Sequence, residues 1–152
     1  GARILSSLEK LHLTIKKLNL KIIDSSIYFE KAHSLGIPEK GLTNLKEQLF
    51  GLEANFEELN AIDFKKGCYV GQENTARMKL KNKIRKKLLA VTIDGNIEVG
   101  EDLKFGEIKI GKILVDKPHS FALVKLFDPD FSDFKDKELD CGKVKAKIIN
   151  SY

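Results

Sequence analysis

Leu88-Leu89-Ala90-Val91-Thr92-Ile93-Asp94-Gly95 is the stretch on which the fold turns. It is an apolar run of strand length, rich in β-forming side chains, and it stops at Asp-Gly, a strong turn signal. Downstream the same alternation of short apolar runs and breakers continues. Residues 103–105, 107–115, 120–127 and 144–149 read as further strands, punctuated by Gly100, Gly106, Gly111, Pro118 and Pro129. Several short strands at this spacing predict a small antiparallel barrel or sandwich.

Upstream of residue 88 the period changes. Ile4, Leu5, Leu8, Leu11, Ile15 and Leu18 fall at helical spacing, with Glu9, Lys10, Lys16 and Lys17 off that face, which predicts an amphipathic helix over 4–18. Residues 20–23 are a short strand candidate. Asp24-Ser25-Ser26 supplies an N-cap for a second helix over 27–35, with Gly36 as its terminating residue ahead of Pro38. Residues 37–62 read as an irregular connection. Helical turns are expected there around Leu42, Leu45 and Leu49 and over 56–59, with Gly41 and Gly51 as breakers. Connections of this length are usually functional or poorly ordered. The fold class is therefore α+β.

Between these halves lies Lys65-Lys66-Gly67-Cys68-Tyr69-Val70-Gly71-Gln72-Glu73-Asn74-Thr75-Ala76-Arg77-Met78. Gly67 and Gly71 suggest a shaped loop, and the good helix formers from Gln72 to Lys81 predict that the loop opens a helix. A thiol at Cys68 would lie near amide donors, a positive helix end and Lys65, Lys66 and Arg77, the surroundings that favour a thiolate. A small buried cysteine in a glycine-rich turn is the competing reading, and the residues alone leave both open. Glu53, Asp63 and Glu73 are the nearest carboxylates. A close pair of them can exchange protons or bind ring nitrogens, whereas Glu73 is also simply a favourable first-turn acid. Tyr69 can stack on a ring or belong to the core.

Other features are weaker. The basic run Arg77, Lys79, Lys81, Lys83, Arg85, Lys86 and Lys87 is the densest charge on the chain, but without interleaved aromatics it lacks the stacking half of a single-strand nucleic-acid surface. It reads as a solvated helix end and strand start, with at most a weak RNA link. His12, His33 and His119 show no metal-ligand spacing, so no metal site is assigned. Asp128, Asp130, Asp133 and Asp136 lack the glycine and terminal glutamate of a calcium loop. Cys141, beside Gly142, reads as inert, and there is no nucleotide-binding glycine loop or nucleophile elbow.

The chain has 152 residues and a net charge of +5, with 42% hydrophobic and 32% charged residues, an ordinary globular composition long enough for one domain or two small ones. A lysine-rich surface of this kind is weak evidence for an anionic partner. Two cysteines make no disulfide framework. No apolar run has membrane-spanning length, and Arg3 and the charges after Leu8 interrupt any secretory pattern. A cytosolic or organelle-matrix location is expected. The chain opens Gly1-Ala2-Arg3 without a methionine.

Lys-Gly-Cys-Tyr-Val-Gly-Gln-Glu at 66–73, followed by Thr75-Ala76-Arg77, resembles the signature of the YgfZ-type folate-binding family, a relative of the glycine-cleavage T protein. Leu35-Gly36-Ile37-Pro38-Glu39, Leu52-Glu53-Ala54-Asn55 and Ile84-Arg85-Lys86-Lys87-Leu88 bracket it in the family's order, so the resemblance covers about residues 28–90. The family includes bacterial tRNA-modifying proteins and mitochondrial factors for late iron–sulfur cluster assembly. The resemblance implies a C-terminal piece of a longer protein. Residues 1–83 would be the remnant of a folate-binding α+β domain carrying the motif loop, and residues 84–152 a small antiparallel β-barrel. It implies tetrahydrofolate as cofactor, iron–sulfur assembly proteins or their clients as partners, and a bacterial cytoplasmic or mitochondrial-matrix location. By the same resemblance Cys68 is the reactive or cluster-contacting thiol. Lys66, Gly67, Tyr69, Gly71, Gln72, Glu73 and Arg77 are then the cofactor-binding and loop-shaping residues. A folate-dependent aminomethyltransferase is the alternative, although the 66–73 string belongs to the assembly-factor branch. A bare RNA-binding module is the third reading.

Overall fold

In a computed structural model, which describes residues 4–39, 41–67, 70–81 and 84–149, the chain is α+β. Helices α1 (Leu8–Lys17), α2 (Ser25–Ser34) and α3 (Gln72–Leu80) precede strands β1 (Lys86–Ile93), β2 (Asp102–Phe105), β3 (Ile108–Val115), β4 (Ser120–Lys125), β5 (Leu139–Cys141) and β6 (Val144–Ile148). The six strands close into an antiparallel barrel in the order β1-β4-β3-β2-β5-β6. Of the barrel or sandwich expected from the breaker spacing, the barrel is the one present. The three-residue strand β5 was not predicted, being too short and too polar in context to register as a run.

The barrel interior is built by alternation. Leu89 and Val91 of β1, Ala122 and Val124 of β4, and Ala146 and Ile148 of β6 point into one cluster with Leu103, Ile110, Ile113, Leu139 and Cys141. Phe134, fully buried, plugs this cluster from the connection after β4. That connection reads as solvated because of its aspartates, yet it carries a core aromatic. Gly111 of β3 lies opposite Val124, and a Cβ there would stand 2.7 Å from the Leu123 carbonyl oxygen. Only glycine allows the two strands this approach.

Strand β1 is buried on both faces from Leu88 to Val91, which explains why its sequence is a continuous apolar run and not an alternating one. Its outer residues Leu88 and Ala90 form a second cluster with Leu114, Val115 and Phe121, capped by Leu45 and Leu49 from the 37–62 connection. The connection is irregular as expected, with the expected helical turn found as a 3-10 turn at Leu42–Leu45 and none assigned over 56–59, and it serves as a cover for the barrel wall. Leu52 and Asn55 are fully buried in it. Leu88 N–H donates to the Glu53 carbonyl at 2.7 Å, and Asn55 Nδ2 donates to the Leu88 carbonyl at 2.5 Å. This pair of bonds occupies the edge of β1 that β6, which pairs only with residues 91–93, leaves open.

The upstream helices are looser. Asp24 caps α2 as predicted, its carboxylate accepting from the Ser26 N–H at 2.8 Å. At the other end Gly36, at φ 69°, closes the helix with Ile37 N–H bonded to the Ala32 carbonyl and Gly36 N–H to that of His33. Helix α1 is shorter than the predicted 4–18 span and buries none of its residues. The strand proposed for 20–23 is not formed. Those residues are exposed and have no neighbouring strand to satisfy their backbone groups.

Candidate functional site

Two adjacent acids of the connection tie it to the helix after the motif and to the first strand. Glu57 accepts from Lys79 Nζ of α3 at 2.5 Å, and Glu58 pairs with Lys87 at the start of β1 in a half-buried ion pair. Lys79 also lies 5.8 Å from the Phe64 ring centroid, so one lysine ties α3 both to a carboxylate and to an aromatic face. Just before the motif, Asp63 Oδ1 accepts the Lys65 N–H at 2.8 Å, an Asx-type turn that sets the chain's entry into the loop. Gly71 takes φ 87° immediately before α3 and acts as its N-cap, a conformation that favours glycine. Both 71 and 67 have open space where a Cβ would project. The requirement at Gly71 is therefore conformational and not steric.

Two adjoining clefts lie between this loop and the connection. The larger, about 580 Å³, is lined by Gly51, Phe56, Asn60, Ala61, Ile62, Asp63, Lys66, Gly71 and Thr75. The smaller, about 240 Å³, is lined by Ile62, Asp63, Phe64, Lys66, Gly67, Gln72, Thr75 and Ala76. Ile62, Asp63, Lys66 and Thr75 are common to both. Lys66, Gly67, Gly71 and Gln72, singled out from the sequence, thus converge on one place. Glu73 and Arg77 are exposed on α3 and line neither cleft. Cys68 and Tyr69 lie outside the described residues.

Of the three carboxylates considered from sequence, Asp63 is the one in the clefts. Glu53 spends its side chain locally, accepting the Phe50 N–H at 3.0 Å. Ile62, Phe64, Phe56 and Thr75 were not foreseen as lining residues, because nothing in their spacing distinguishes them from core or loop. The polar lining is one carboxylate (Asp63), one ammonium (Lys66), two amides (Asn60 and Gln72) and one hydroxyl (Thr75), set among apolar and aromatic walls. It suits a planar heterocycle whose amino groups donate to Asp63 and whose acidic end meets Lys66.

Among the described residues no group of three or more His, Cys, Asp or Glu side chains is placed to hold a metal ion. Cys141 is fully buried in the barrel. Burial first, then the charges of Glu101 and Asp102, push its thiol up to about 11.

Comparison with known proteins points one way. The chain is 44% identical over 64 residues, 42% of its length, to the mitochondrial iron–sulfur cluster assembly factor IBA57 homolog of Neurospora crassa, covering 15% of that protein. Mouse IBA57 is 40% identical over 73 residues, 47% of this chain and 20% of its own length. The Saccharomyces cerevisiae protein is 32% identical over 111 residues, 65% of this chain and 22% of its own length. These relatives are iron–sulfur cluster assembly factors of mitochondria. The matches span less than a quarter of the length of any of the three. No family model matches the chain.

Proposed function

We propose that this chain acts in iron–sulfur cluster assembly or repair in the mitochondrial matrix as a folate-binding protein, and through its cluster-dependent clients supports tRNA modification. The observation that carries the reading is the similarity to IBA57 assembly factors in a chain whose Lys66, Gly67, Gly71 and Gln72 line adjoining clefts together with Asp63, a polar set that a pterin can use. The remnant of a folate-binding domain is assigned to residues 1–83 and the barrel domain to 84–152. Tetrahydrofolate supplies one-carbon chemistry when bound. Asp63 would accept from the pterin amino group, Lys66 would pair with a glutamate carboxylate, and Phe56, Ile62 and Phe64 would exclude water from the ring. Gly67 and Gly71 set the loop's shape, and Gln72, Glu73, Tyr69 and Arg77 position partners around it. Cys68 is the thiol that contacts the cluster in transit. A cluster ordinarily needs four ligands, so one cysteine fits a shared, transferring role with a partner protein and not storage.

Calorimetric titration of the chain with tetrahydrofolate tests the cofactor. Binding that weakens about tenfold in Lys66→Ala is expected for loss of one charge-assisted hydrogen bond. In cells, Cys68→Ser should lower the activity of iron–sulfur enzymes while protein level is unchanged. Undiminished enzyme activity in Cys68→Ser, together with no folate binding at millimolar ligand, would refute the reading.

A further inference from the structure

Two barrel strands end in an uncompensated like-charge pair. Along the outer face of β1 and β4 the cross-strand partners are Ala90 with Phe121, Leu88 with Leu123, and then Lys86 with Lys125. The first two pairs belong to the covered outer cluster. The third sets two lysines directly opposite in the register, and like charges so paired destabilise a sheet. Arg85 adds a third cation beside them, and among the described residues none of the three forms an ion pair.

These three line a cleft of about 650 Å³, completed by Phe127 and Asp128. The rim is fixed by backbone bonds on both sides. Leu126 N–H donates to the Arg85 carbonyl at 2.9 Å, and the Leu126 carbonyl accepts the Phe131 N–H at 3.2 Å. Phe127 follows at once and is 55% exposed. Asp128 takes φ 57°, in the left-handed region that aspartate and asparagine enter more readily than other non-glycine residues. The basic run of the sequence contains no aromatic. The fold supplies one from the far end of β4.

We infer that this cleft binds a nucleotide-type ligand, a phosphate carried beside a planar base. Arg85, Lys86 and Lys125 neutralise the phosphate, the exposed face of Phe127 stacks on the base, and the Asp128 carboxylate accepts from a base amino group or a ribose hydroxyl. A purely anionic chain such as an acidic peptide would use the cations and leave Phe127 idle, so the aromatic favours the nucleotide. The ligand also removes the like-charge repulsion that the empty sheet carries. The same chemistry can come from a free mononucleotide or from single-stranded RNA.

The test uses the full chain, with fluorescence anisotropy of a labelled single-stranded octanucleotide and with AMP, inorganic phosphate and octaglutamate as competitors. Phe127→Ala should weaken octanucleotide binding about tenfold, the loss of one stacked base. Lys86→Gln and Lys125→Gln should each flatten the slope of log affinity against log salt by about 0.7. AMP displacing the probe better than phosphate does identifies a mononucleotide as sufficient, and displacement only by unlabelled octanucleotide identifies the single strand. Lys86→Gln should melt no lower than the parent, which separates lost binding from lost folding. No binding of AMP or octanucleotide at millimolar concentration overturns the inference. So does octaglutamate competing as well as the octanucleotide, or binding indifferent to all three substitutions.

Discussion

Asn55 shows how much one side chain can be asked to do. It is fully buried, sits at φ 61°, and its Nδ2 satisfies the Leu88 carbonyl at a strand edge that β6 does not pair. Asn55→Ala keeps neither the bond nor the tolerance for that backbone, leaving a buried carbonyl unsatisfied. The expected loss is about 2–4 kcal/mol, summing roughly 1–3 for the orphaned acceptor and about 1 for the left-handed alanine. Urea denaturation measures it, and a loss below about 0.5 kcal/mol would mean that water reaches Leu88 and the cover is not tightly seated. Cys141 offers a second check at this scale. Buried and with its thiol pushed up to about 11, it should resist iodoacetamide at pH 8 in the native chain and react only after denaturation. Labelling a Cys141→Ser variant then reports on Cys68 alone. Asn55 was visible in the sequence only as part of the motif order. Its burial depends on a partner 33 positions away, which no local pattern reveals.

At the scale of elements, what was legible depended on whether the signal was local. Caps and breakers are local, so α2 with Asp24 and Gly36, and the Asp94–Gly95 end of β1, were read from sequence and found. The strand at 20–23 failed because four apolar residues say nothing about whether a neighbour exists to pair with. β5 was missed for the opposite reason, since its neighbours β2 and β6 make it a strand. Gly111 is the element-level residue most exposed to test. Gly111→Ala drives a methyl into the Leu123 carbonyl of the facing strand, which is backbone and cannot rotate away. A destabilisation of about 1–3 kcal/mol follows from overpacking of this kind, read as a drop in melting temperature. The docking of α2 on the β3–β4 end carries a pH dependence. His33 Nε2 lies 2.9 Å from the Ser120 carbonyl, its ring stacks on His119 at 4.9 Å, and it meets the Phe121 edge at 5.1 Å. Burial chiefly, with the charge of His119, holds its imidazole below the ordinary 6.5, against the Ser120 carbonyl, which acts the other way. A base with a lowered folded pKa takes up its proton more readily unfolded. The stability present above about pH 6.5 is therefore lost as the pH falls through the folded value. NMR titration of His33 should give a midpoint below 6.5, with faster amide exchange in α2 on the acid side. A midpoint above 6.5 would mean that the carbonyl bond outweighs burial.

At the scale of the molecule, the barrel and its cover form the cooperative part, and the N-terminal helices grade away from it. The outer cluster of β1, β3 and β4 is sealed by Leu45 and Leu49, and the same cover is tied to α3 by Glu57–Lys79 and to β1 by Glu58–Lys87. The candidate clefts are therefore bounded by segments whose positions depend on the barrel wall, although the barrel itself contributes none of their lining. This relation was hidden in the sequence, where 37–62 looked like a connection, because its apolar residues follow no helical or strand period. α2 is joined to the barrel through Ala32 and His33 alone among its buried residues. α1 buries none of its ten, and a helix of that length is marginal in water without packing. Local opening should follow the same gradient, because segments with few buried apolar contacts open at a small fraction of the global free energy. Limited trypsin digestion under native conditions is expected to cut first at Lys16, Lys17 and Lys21. Lysines held in the barrel strands, such as Lys112 and Lys147, should survive until global unfolding although their side chains are exposed. Hydrogen exchange should place α1 amides near the unprotected rate and those of β1, β3 and β4 among the slowest. If α1 instead exchanged as slowly as β1, it would have to be packed against something its exposed leucines do not show in the isolated chain.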